Sequence, residues 1–226
     1  MRPAHVVGLL LAVAALPPSF AQDKGPVKRR VAREGIEWCD AWLPNVTKTD
    51  LPYALLVGDS ITKGYYPQVE KALAGKANCG RFATSACVAD PAFPAQLEGV
   101  LTGYRHAVIH FNNGLHGFDY TEPEYKEGYQ KALELVKKLQ PDAKIVVALT
   151  TPLKPGSGPD SLTPRVEARN AIAKELASKF GATIDDLFSV SRGRPELFSD
   201  PYHYKPDGIK LQTEKVSAAV LAALGK

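Results

Sequence analysis

The sequence predicts a three-layer α/β/α sandwich built on a central parallel sheet of about five strands. Three observations lead there. Short apolar runs recur between residues 53 and 188, each too short for a helix and each bounded by turn-forming residues. Longer amphipathic stretches separate them, and alternating strands and helices imply parallel strands joined by right-handed crossovers. The longer helices also carry their own start and stop signals.

Taken in order, "YALLV" (53–57) reads as a buried strand, followed by a helix over 62–74. "RFATSA" (81–86) is a second strand with a short helix after it at 92–101, and "HAVIHF" (106–111) is a third strand. The amphipathic stretch 122–140 starts Glu-rich and ends Lys-rich, as the helix dipole favours. "AKIVVALTT" (143–151) is the clearest strand, and the Pro/Gly-rich loop 151–164 follows it. Residues 163–181 make a helix with Thr163 as N-cap, Pro164 in first helical position and Gly181 as the stop. "ATIDDLF" (182–188) is a last strand and 208–224 a closing helix.

Residues 1–21 read as a leader for export: Arg2, then an apolar run from Val6 to Leu16, then Ser19-Phe20-Ala21 where a signal peptidase cuts. That run is too short to span a bilayer, and no later stretch is long enough. The expected organisation is therefore a signal peptide (1–21), a lead-in segment (22–50) and one domain (51–226), placed outside the cytoplasm or in the periplasm. Six of the 28 Lys and Arg precede residue 34, against only Asp23 of the 24 Asp and Glu. Residues 34–226 thus hold 22 basic and 23 acidic groups, a net −1. Without a basic folded body, nucleic acid is not the expected partner; neither is the membrane interior. Cys39, Cys79 and Cys87 are too few and scattered for a disulfide scaffold or a four-ligand zinc site. A disulfide, if one formed, would involve Cys39, because an extended 81–86 strand separates the other two.

Open α/β sheets bind ligands beyond the carboxyl ends of their strands. That rule selects Gly58-Asp59-Ser60, residues 84–90, residues 112–116, residues 150–153 and the segment after Asp185. Ser60, at the strand-to-helix junction, is either a helix cap or a nucleophile in the positive end of the helix dipole. Asp59 either stabilises the turn or acts directly. Asp200 and His203 stand three apart in "DPYH", where a carboxylate can meet an imidazole nitrogen and fix its tautomer. Asp185 and Asp186 are the rival acids. Asn112 reads as a turn former, and His116 as either a substrate contact or an ordinary loop residue. Tyr202, Tyr204 and Lys205 are polar or aromatic enough to face a sugar. His106 and His110 share a strand face, but with no third ligand beside them they do not make a zinc site.

"GDSIT" (58–62) and "DPYH" (200–203) resemble the first and last sequence blocks of the SGNH (GDSL) serine hydrolases, a likeness covering roughly residues 51–224. The resemblance implies a flavodoxin-like sheet, with Ser60 as nucleophile and His203 and Asp200 as its base and orienting acid. Aligning "FNNG" with the family's third block, Gly-x-Asn-Asp, implies that Asn113 donates to the oxyanion. That block is altered here, with Phe111 for its Gly and Gly114 for its Asp. The second-block glycine is missing, and Ala89 or Ala86 replaces its N–H donor. The resemblance implies ester hydrolysis without a cofactor, and export together with the polar and aromatic residues named above favours short-chain, above all acetyl, esters of carbohydrates. The rivals are a lysophospholipase or thioesterase, and a non-catalytic glycan-binding protein on the same fold.

Overall fold

The computed structural model describes Met1 and residues 31–226. Residues 2–21 of the expected leader, and residues 22–30 of the lead-in segment, lie outside the described residues. Six strands form one sheet: β1 (Cys39–Trp42), β2 (Tyr53–Gly58), β3 (Asn78–Thr84), β4 (Val108–Phe111), β5 (Lys144–Ala148) and β6 (Thr183–Asp185), in the order β1-β3-β2-β4-β5-β6. The five strands β2–β6 are parallel, and β1 joins the edge antiparallel to β3. The helices are α1 (Ser60–Ala72), α2 (Ala92–Thr102), α3 (Glu122–Leu139), α4 (Thr163–Phe180), α5 (Leu187–Ser191) and α6 (Pro206–Ala223).

The alternation of side chains along the strands sorts the core into two layers. Leu55, Val57, Ile109, Phe111, Ile145 and Val147 face α2, α3 and α4. Ala54, Leu56, Val108, Val146 and Ala148 face α1, α5 and α6. All six residues of β2 are buried because helices cover both faces. Helix α3 opens with a capping box of Thr121 and Glu124 and ends with Lys137 and Lys138. Helix α4 stops at Gly181, whose φ of 63° is the left-handed conformation glycine adopts without strain.

The structure departs from the sequence reading in four places. The lead-in contains a strand: β1 pairs Cys39 with Thr84 and Trp42 with Arg81. Strand β3 spans 78–84 rather than 81–86, because Asn78–Gly80 pair with Tyr53–Leu55. Beyond it the Thr84 hydroxyl accepts the Ala86 N–H and turns the chain. The strand expected over 182–188 ends at Asp185, since Asp186 accepts the Ser189 N–H and caps α5. Thr163 is the first residue of α4 rather than its cap, because the 3-10 turn Gly158–Leu162 runs straight into the helix. Its hydroxyl donates to Asp160 instead.

All three cysteines are free thiols, Cys39 exposed and the other two buried. No helix among the described residues is long and apolar enough to cross a membrane.

Candidate active site

Strand β2 passes into α1 through Gly58. A Cβ there would stand 2.0 Å from the Thr62 hydroxyl, so only glycine lets the strand end press onto the first helical turn. Asp59 is the N-cap: its Oδ1 accepts the Ile61 N–H at 2.9 Å. The capping task therefore belongs to Asp59, and the Ser60 hydroxyl is left for another partner. That partner is His203, whose Nε2 lies 2.8 Å from Ser60 Oγ. The Ser60 N–H has no hydrogen-bond partner among the described residues.

His203 sits in a tight loop between the 3-10 turn Pro195–Leu197 and α6. Phe198 and Tyr204 bridge the ends of this loop with their ring centroids 4.4 Å apart, and the Ser199 N–H donates to the His203 carbonyl. Inside it, Asp200 Oδ1 accepts the N–H groups of Tyr202 and His203, both at 2.8 Å, and Oδ2 lies 2.9 Å from His203 Nδ1. Partial burial pushes the Asp200 carboxyl up, but the hydrogen bonds from the His203 and Tyr202 amides and the His203 ring outweigh it and hold its pKa below the ordinary value. An ionised carboxylate only accepts, so Nδ1 carries the proton and Nε2 is left to accept from the serine hydroxyl. The rival acids are engaged elsewhere. Asp185 pairs with His110 at 2.9 Å, both side chains fully buried, and Asp186 caps α5.

The segment after β4 brings Asn112 and Asn113 to the same end of the sheet. Asn112 Nδ2 donates to the Ala148 carbonyl at 2.9 Å and ties β4 to β5. Asn113 reaches the other way: its Oδ1 accepts the Val88 N–H and its Nδ2 donates to the Ala86 carbonyl. An amide nitrogen has two protons, so one N–H of Asn113 remains uncommitted. Of the two alanines expected to supply a backbone donor, Ala86 does not offer a free one: its N–H is bound by Thr84 Oγ1. The Ala89 amide lies against α3, where a Cβ on Gly128 would stand 2.8 Å from it. In this loop the Cys87 and Ala89 N–H groups both have no backbone hydrogen-bond partner among the described residues.

Of the remaining candidates, His116 is at the rim and hydrogen-bonds Glu34 through Nδ1 at 2.9 Å. Tyr202 is partly exposed, but Tyr204 is buried and turned inward, its hydroxyl 2.8 Å from Ser191 Oγ. His106 and His110 do not converge, since His106 bonds the Val100 carbonyl while His110 meets Asp185. Sequence reasoning missed Glu34 and Trp38, which approach this end of the sheet from the lead-in; two tryptophans, Trp38 and Trp42, in a polar lead-in were the signal for Trp38, and Glu34 had none. A cavity of about 790 Å³ lined by Tyr53, His106 and Gln140 lies at the opposite, amino end of the strands.

A family model for GDSL-like lipase/acylhydrolases matches residues 56–211. A search of curated protein sequences finds no significant match. Among solved structures, a protein described as a GDSL-like lipase from Parabacteroides merdae shares 17% identity with a TM-score of 0.63, over 78% of this chain and 98% of the other. A member of the lipolytic G-D-S-L family from Veillonella parvula shares 17% identity with a TM-score of 0.60, over 74% and 96%. An acetylxylan esterase from Geobacillus stearothermophilus shares 14% identity with a TM-score of 0.60, over 77% and 94%. At such identities these neighbours speak for the fold, whereas the family match spans more than half of the sequence and includes both Ser60 and the Asp200–His203 loop. The chain belongs to the GDSL-like lipase/acylhydrolase family.

Proposed function

We propose that this protein is an exported serine esterase that removes short acyl groups, chiefly acetyl, from carbohydrates. The observation that carries the reading is the continuous hydrogen-bonded chain from Asp200 through His203 to Ser60. His203 Nε2 takes the hydroxyl proton as Ser60 Oγ attacks the ester carbonyl, and Asp200 stabilises the imidazolium that forms. The same imidazole protonates the leaving alcohol, and water repeats the cycle on the acyl-enzyme. The uncommitted N–H groups of Ser60 and of Ala89 or Cys87, with the second amide proton of Asn113, are the donors to the oxyanion. For the substrate, two supports are the polar rim around His116 and the acetylxylan esterases among the structural neighbours. Export rests on the leader-like residues 1–21.

Asn113 has two tasks in this scheme, which gives its removal a compound signature. Asn113→Ala is expected to lower kcat by about 10²–10³ with little change in KM, as for loss of one oxyanion donor. It also removes two buried hydrogen bonds to the 86–88 segment, and leaving those groups unpaired costs about 1–3 kcal/mol each. Asn112→Ala should lower stability alone. Steady-state kinetics paired with urea melts separate the two, and a kcat collapse at Asn112 with Asn113 silent would shift the oxyanion assignment by one residue.

The function itself is tested by a panel of acetyl, butyryl and long-chain nitrophenyl esters and acetylated oligosaccharides, with Ser60→Ala as control. Preference for acetyl substrates, lost in Ser60→Ala, supports the reading. Preference for long chains would favour a lipid esterase, and turnover that survives Ser60→Ala would remove the serine mechanism.

A further inference from the structure

Residues 32–42 do more than add an edge strand. Before β1 begins, this segment crosses the carboxyl end of β3 and is fastened at several points. The Ala32 N–H donates to the Tyr120 hydroxyl, Arg33 pairs with Asp90, and Glu34 takes the ring N–H of His116. Trp38 is fixed through both backbone groups. Its N–H donates to Ser85 Oγ at 2.8 Å, and its carbonyl accepts from the Ser85 N–H and the Thr84 hydroxyl. Thr84 follows Ala83, which is the register partner of Gly58, and Gly58 lies two residues before Ser60.

From that anchor the indole reaches over the end of β3 towards both elements that carry the proposed machinery. Lys63 Nζ, on α1 one turn after Ser60, lies 5.1 Å from the ring centroid. The His116 ring meets the indole edge to face at 6.3 Å. Residues three apart on a helix are neighbours, so this wall of Lys63, Trp38 and His116 begins beside the serine. Trp38 is only partly buried and belongs to neither core layer.

We propose that Trp38, with the Glu34–His116 pair beside it, forms the subsite that receives the sugar bearing the ester, and thereby sets selectivity for carbohydrate esters. The proposal rests on the esterase reading above. A large aromatic surface held by its backbone binds at little ordering cost, and an indole offers apolar area to the C–H groups of a pyranose. The hydroxyls around that ring need partners, which the rim supplies. Glu34 has a half-exposed carboxylate, and His116, with Nδ1 given to Glu34, has Nε2 for a hydroxyl. An acyl chain laid on the same rim would desolvate Glu34, Lys63 and Asp40 without returning hydrogen bonds, so the lip discriminates against lipid.

The test compares kcat/KM for acetylated xylo-oligosaccharide with kcat/KM for 4-nitrophenyl acetate in wild type, Trp38→Ala, Trp38→Phe and Glu34→Ala, each checked by a thermal melt. Trp38→Ala should lower the oligosaccharide-to-nitrophenyl ratio about tenfold, mainly through KM, with Trp38→Phe staying within about threefold of wild type. Glu34→Ala should lower it about threefold, and its half-exposed side chain leaves folding intact, so it decides the matter should Trp38→Ala fail to fold. A ratio unchanged within twofold in the folded variants overturns the subsite, because a residue that merely buttresses Ser85 slows both substrates alike. Failure of the underlying reading looks different. Wild-type protein that cleaves nitrophenyl acetate but no acetylated oligosaccharide ends the carbohydrate assignment and this subsite with it, and inactivity on both ends the esterase reading.

Discussion

Ser60→Ala and His203→Ala are each expected to lower kcat on a short-chain nitrophenyl ester by about 10⁴- to 10⁶-fold, and the double variant by no more than the worse single one. Residues that act as one unit fail together, since a base without its nucleophile has nothing to activate. Multiplicative loss in the double variant would mean that the two act independently, against the hydrogen bond between them. Asp200→Asn should cost about 10⁴-fold, for a reason visible in the loop. The Tyr202 and His203 N–H groups both require an oxygen at the Oδ1 position. An asparagine must therefore present its NH₂ to His203 Nδ1. That drives the imidazole into the opposite tautomer, with its proton on Nε2 facing the serine it should deprotonate. The depressed pKa of Asp200 points the same way. Its carboxylate stays ionised as pH falls through the ordinary carboxylate range, so it still orients His203 there, and any contribution to stability disappears only at still lower pH. Near-full activity in Asp200→Asn, with Asp185→Asn or Asp186→Asn inactive though folded, would transfer the orienting role to the β6 end.

The second large effect concerns stability. His110→Ala should destabilise the protein by about 3–5 kcal/mol in urea unfolding, the scale for removing one member of a buried ionisable pair. Both side chains are fully buried, and each already has one atom without a partner, His110 Nδ1 and Asp185 Oδ1. Deleting the imidazole leaves a buried carboxylate with no partner at all and opens a cavity against Tyr65, whose ring meets His110 edge-on. Asp185→Asn keeps the shape and one hydrogen bond, so its loss should be well below that of His110→Ala. Equal and small effects for both would show that the pair is not isolated from water.

What was legible in the sequence follows from how locally each feature is encoded. The five parallel strands are short apolar runs, whereas their order β3-β2-β4-β5-β6 is not set by crossover handedness and was implied only by the family resemblance. Strand β1 escaped because its four residues, Cys39-Asp40-Ala41-Trp42, are too few to show a period, and its pairing is with a strand some forty residues later. Asp200 and His203 could be paired on paper because three residues in one turn fix their relation. The backbone donor could not. Whether Ala86, Cys87 or Ala89 has a free N–H depends on where Thr84 Oγ1 turns and how closely Gly128 lets α3 approach, and neither is written in the loop itself.

The proposed nucleophile and base are separated by 143 positions, and α1, which carries the serine, packs against α6, the last helix among the described residues. A growing polypeptide therefore has its reactive hydroxyl in place long before anything can deprotonate it. Strands β2 to β5 can assemble, and the oxyanion end of the sheet can form, while the molecule is still inert. On the proposed mechanism, hydrolytic competence is acquired late in synthesis, when the loop before α6 closes over Ser60, so an unfinished or C-terminally clipped chain is expected to be silent. Proteolytic loss of a single terminal helix would act on this protein as an off-switch.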